Sequence, residues 1–62
     1  METVMLVKIY DRTPGGKTLI GKTKMDAIPR QGETCFVDDE AKIVHEVTWD
    51  LTKMEVHILL RT

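Results

Sequence analysis

Four turn-forming breaks at near-regular spacing constrain this chain more than any other feature. They are Pro14-Gly15-Gly16, Pro29 with Gly32, Asp38-Asp39-Glu40, and the run from Asp50 to Lys53. Proline presets one backbone angle and lacks a donor, glycine supplies positive φ, and aspartate folds onto its own backbone. Each break therefore interrupts regular structure. The stretches between them, about 3–11, 18–26, 34–38, 42–49 and 54–61, are short and strand-like in composition. The pattern predicts an all-β fold of about five antiparallel strands in a small barrel or curled sheet. Little helix is expected: Asp38 to Lys42 could form one acidic-started turn but is too short to stand as a helix.

A chain of 62 residues is enough for a single small β domain spanning 1–62. Cores of this size are marginal and often lean on disulfides, metals or a partner chain. Cys35 is the only cysteine, so no intrachain disulfide can form, and no close set of Cys and His suggests zinc. Assembly is the support that remains. The apolar run 3–7 is too short for a signal core or a membrane span, and with a lone cysteine a cytoplasmic setting is expected. Tyr10, Phe36 and Trp49 are the only aromatics, so the core must be aliphatic; Met5, Val7, Ile9, Phe36, Val47, Val56 and Ile58 are its expected members.

The last two segments permit a register argument. A four-residue turn at Asp50-Leu51-Thr52-Lys53 pairs Trp49 with Met54, Val47 with Val56, His45 with Ile58 and Ile43 with Leu60. The other face then pairs Thr48 with Glu55, Glu46 with His57, Val44 with Leu59 and Lys42 with Arg61. A one-residue slip would set Glu46 against Val56, so burial favours the first register. A bulge at His45-Glu46 is the alternative, because it would turn both Val44 and Val47 inward.

The first strand is apolar on both faces: Met5, Val7 and Ile9 point one way, Val4 and Leu6 the other with Lys8 and Tyr10. One core covers one face only. The outer residues Val4 and Leu6, with Val44 and Leu59 of the final hairpin, are accordingly candidates for a homo-oligomer interface, most simply a dimer.

Ile28-Pro29-Arg30-Gln31-Gly32-Glu33 is the most distinctive local sequence. Proline holds Ile28 extended and Gly32 can take positive φ, so the segment reads as a tight turn with Arg30 and Glu33 flanking it. Pro29-Arg30-x-Gly32-Glu33, a short strand, a Val44-x-x-Val47-x-Trp49 strand and a final apolar strand together resemble a pattern in small bacterial and phage proteins similar to SH3-like barrels. The resemblance covers about residues 28–60 and implies a compact β fold and a mobile-element origin. It assigns no activity and no site residues, and the long opening hairpin over residues 3–26 departs from it.

Formal net charge is −1, but residues 1–31 carry six Lys and Arg against three Asp and Glu, whereas residues 32–62 carry three against seven. Such a split can give a bipolar surface. Lys17, Lys22, Lys24 and Arg30 are the candidate ligand- or partner-binding residues, able to meet phosphates of a nucleic acid or nucleotide. Thr13-Pro14-Gly15-Gly16-Lys17-Thr18 has the wrong glycine spacing for a P-loop and reads as a hairpin turn. His45 and His57 face opposite sides in the favoured register, so no shared metal is expected, and His57 opposite Glu46 reads as a cross-strand polar pair. Cys35 has no oriented base and reads as a small strand hydrophobe. The acidic turn 38–40 has no calcium-loop pattern.

No catalytic residues, metal or cofactor are expected. The function anticipated is a non-enzymatic interaction module, an accessory or inhibitory protein that self-associates or docks on a host protein. The alternative is a binder of phosphorylated ligands through the basic hairpin face or a pocket between subunits.

Overall fold

The computed structural model describes residues 5–62. Five strands form one sheet: β1 (Met5–Thr13), β2 (Gly16–Met25), β3 (Thr34–Val37), β4 (Glu40–Asp50) and β5 (Glu55–Arg61). Their order is β2-β1-β5-β4-β3, and the sheet curls into a half-barrel, with no helix among the described residues. Three pairings are antiparallel, while β1 and β5 run parallel. The hairpins β1–β2 and β4–β5 thus meet along β1 and β5, which bury Val7, Val56, Ile58 and Leu60. This pairing joins the two ends of the described chain, which no local signal announces.

Each break does what its chemistry suggests. Pro14 precedes Gly15 at φ 83°, the combination a type II turn requires. Asp38 and Asp39, at φ 50° and 65°, form a two-residue turn between Val37 and Glu40. Two successive positive φ angles define the type I′ turn that matches strand twist, and aspartate tolerates them. The acidic run is therefore a hairpin turn rather than a helical one. In the Pro29 turn, the Glu33 N–H donates to the Arg30 carbonyl at 3.1 Å while the Glu33 carboxylate accepts from the Arg30 N–H. Gly32, at φ 91°, donates to the Val44 carbonyl at 2.9 Å, which anchors the turn to β4. Glu33 thus bonds across the turn to the Arg30 backbone and forms no ion pair with its guanidinium.

The concave face holds the core. Val7, Val44, Val56, Ile58 and Leu60 are buried, with Met5, Ile9, Met25, Ile28, Cys35, Val37 and Val47 packed against them. Burying an aliphatic side chain of this kind stabilises by about 1.5–3 kcal/mol. Because β2 and β3 occupy opposite sheet edges, residues 26–33 must span the half-barrel, and Ile28 packs on the core as they do.

Three expectations need correction. The β4–β5 hairpin closes one residue later than expected, with Asp50 opposite Glu55, so Trp49 pairs with Val56 and Val47 with Ile58. The bulge alternative is the one realised: Val44 pairs with Leu60 and Glu46 with Leu59, leaving His45 as the extra residue. Val44 is consequently a core residue, 1% exposed, and not an outer interface residue. The physical reason is burial, since the bulge directs both Val44 and Val47 to the concave side. Phe36 is 76% exposed rather than in the core. Cys35 and Val37 take the concave side of the four-residue β3, and alternation leaves Phe36 outside.

Candidate interaction surfaces

Turn chemistry builds one end of the molecule into an apolar tip. Asp50 Oδ1 accepts from the backbone N–H groups of Thr52 at 3.2 Å and Lys53 at 3.1 Å, which fastens the β4–β5 loop. The loop leaves Met54 at φ 55°, a left-handed geometry that costs a bulky L-residue about 1–2 kcal/mol. Trp49, Leu51 and Met54 are 52%, 71% and 57% exposed. Beside them, Ile28, Pro29, Arg30, Gln31, Val47 and Trp49 line an open recess of about 330 Å³. A fastened loop that presents three large apolar side chains beside an arginine has the makeup of a protein-docking surface. The sequence carried a signal for it: Leu51 and Met54 sit within an otherwise polar turn.

The structure divides the four cations expected to act together. Lys17, Lys22 and Lys24 lie exposed on the edge strand β2, whereas Arg30 belongs to the turn packed on β4 and lines the recess with Trp49. The lysines join Lys8 and Arg12 of β1 on the convex face: Lys8 is directly opposite Lys22, and Arg12 opposite Lys17. Lys17 Nζ sits 4.5 Å from the Tyr10 ring centre, and the Tyr10 ring meets His57 edge to face at 5.6 Å. Glu55 Oε1 lies 3.1 Å from both Lys8 Nζ and His57 Nε2. The hydrogen bonds from His57 and Lys8 hold the Glu55 carboxyl below its usual 4.5. His57 therefore partners Glu55 on its own strand and stands opposite Thr48, not Glu46.

Leu6 and Leu59 do lie on the convex face, partly covered and separated by charged neighbours; Val4 is outside the described residues. On the concave side, Ile9, Met25, Pro29, Cys35, Ile58 and Leu60 line an apolar cavity of about 120 Å³. Cys35 is half-buried there beside the core. Among the described residues, no group of three His, Cys, Asp or Glu converges to hold a metal, and no helix is long and apolar enough to cross a membrane. No family model, curated protein or solved structure matches this chain.

Proposed function

We propose that this chain is a non-catalytic protein-interaction module that docks through the β4–β5 tip. The observation that carries the reading is the exposure of Trp49, Leu51 and Met54 on a loop fastened by Asp50. Tryptophan supplies large rigid contact area, and truncating such an anchor in an interface typically costs about 2 kcal/mol or more. Arg30 beside the recess supplies a donor fork for a carboxylate or carbonyl of the partner. The exposed Leu19 and Phe36 lie on β2 and β3, at opposite edges of the sheet, and so do not cluster as the tip residues do. An accessory or inhibitory role on a bacterial protein fits both this geometry and the resemblance of residues 28–60 to small bacterial and phage proteins.

The test begins with light scattering of the purified protein. A mass above 7.1 kDa that falls to the monomer value in Trp49→Ala makes a second copy the occupant of the tip. A monomer that captures a bacterial protein at high salt, and loses it in Trp49→Ala with Met54→Ser, makes the partner heterologous. A monomer with no tip-dependent capture refutes the reading.

A further inference from the structure

The convex face of β1 and β2 has a feature the docking tip does not explain. Neither strand places a carboxylate on that face: β1 contributes Leu6, Lys8, Tyr10 and Arg12, and β2 contributes Lys17, Leu19, Lys22 and Lys24. Lys17 and Lys22 are five residues apart, an odd spacing that a regular strand sends to opposite faces. A bulge at Ile20, which leaves Leu19 opposite Tyr10 and Gly21 opposite Ile9, rephases the strand and brings all three lysines to one side. The same bulge completes two directly opposed like-charge pairs, Lys8 with Lys22 and Arg12 with Lys17. Directly opposed like charges destabilise a sheet.

Edge protection accounts for lysines on β2, since charge on an edge strand deters pairing with another chain. It does not account for Lys8 and Arg12, which lie on the interior strand β1, where a carboxylate opposite each β2 lysine would have stabilised the sheet. Only Lys8 has an ion-pair partner among the described residues, in Glu55 of β5. The arrangement becomes favourable once an anion sits between the members of each pair, whose Cβ atoms are about 4.5–5.5 Å apart. The two pairs are about 13 Å apart along β1, with Tyr10 midway between them.

We propose that this face binds single-stranded nucleic acid, with the Lys8–Lys22 and Arg12–Lys17 pairs each clamping a backbone phosphate and a base stacking on Tyr10. Residues on one face of a strand repeat at about 6.8 Å, close to the interval between successive phosphates of an extended strand. The two clamps, two such intervals apart, therefore match a phosphate and the next but one, with a base of the intervening nucleotides at Tyr10. Lys17, which covers the Tyr10 ring in the free protein, moves to a phosphate as the base takes its place. Lys24, next along β2, extends the track. The Tyr10 ring favours a single strand over a duplex, because only unstacked bases offer a free face.

Fluorescence anisotropy with a labelled oligothymidylate of about twelve nucleotides tests this. We expect binding that weakens as salt rises from about 50 to 200 mM, with a log–log slope near −2, the value for about three neutralised phosphates of a single strand. Arg12→Glu with Lys22→Glu should weaken binding by more than about tenfold, and Tyr10→Ala should weaken it where Tyr10→Phe does not. Circular dichroism on each variant establishes that the sheet is intact, and Trp49→Ala should bind like the wild type. Absence of binding at low salt overturns the proposal. So does equal affinity for the matching duplex or for inorganic polyphosphate, because neither presents a base to Tyr10.

Discussion

Asp11 of β1 and Lys42 of β4 form a 3.1 Å ion pair across the concave side of the intervening strand β5, where Leu60 is buried. They flank β5 on opposite sides, so the long Lys42 side chain reaches across that strand to the carboxylate. Lys42 is buried, and its ammonium is also 3.6 Å from Glu40. The hydrogen bond to Asp11 is the main reason that its pKa lies above the ordinary 10.5, against the opposing effect of burial.

Asp11→Ala should destabilise the fold more than Lys42→Met, because it leaves a buried ammonium with only the longer 3.6 Å contact to the exposed Glu40. Thermal melts of both variants and of the double variant close a mutant cycle; equal melting temperatures for the two single variants would contradict the pairing. The pair should also lose its contribution at high pH. The folded pKa of Lys42 is raised, so its stabilisation is full below 10.5 and declines as pH rises through the folded value.

Glu55 should govern part of the acid limb. Its folded pKa is lowered by His57 and Lys8, so its contribution is present above 4.5 and is lost as pH falls through the folded value. Urea denaturation of wild type and Glu55→Gln across that range checks this. The variant should start less stable at neutral pH and lose less on acidification.

Core and edge substitutions should separate sharply. Ile58→Ala removes a buried side chain between β1 and β4 and should cost about 2–5 kcal/mol. Ile58→Asp or Val56→Asp should prevent folding by burying an unpaired charge. Phe36→Ser, at an exposed position, should change stability by no more than about 0.5 kcal/mol in denaturant unfolding of the isolated chain.

Met54→Gly should stabilise the isolated chain by up to about 1 kcal/mol by removing the left-handed backbone cost, offset in part by the freer unfolded chain. The same variant should weaken tip-dependent association. A gain in melting temperature together with lost association is the signature of a residue kept at the tip for contact. A loss of both would instead assign Met54 a packing role.

The sequence by itself determined the turns and the alternation, because both are local. Pro14-Gly15, Gly32 and the Asp38-Asp39 pair carry their own backbone preferences wherever the chain goes. Val7, Val56 and Ile58 lie inward because period-two alternation places them with their apolar neighbours. Strand order, the parallel β1–β5 pairing and the two bulges were decided by the tertiary structure. A bulge is selected by which pairing buries more apolar surface on the partner strand, so it depends on residues far away in sequence. The bulge at His45 moved Val44 from the expected interface into the core, and the one at Ile20 brought Lys17 and Lys22 to one face. The candidate sites followed the same division. Leu51 and Met54 carry a local signal, two apolar residues in a polar turn, that a turn at 50–53 followed by a strand at 54–61 passes over, whereas the opposed cation pairs around Tyr10 exist only because the register of β1 on β2 creates them.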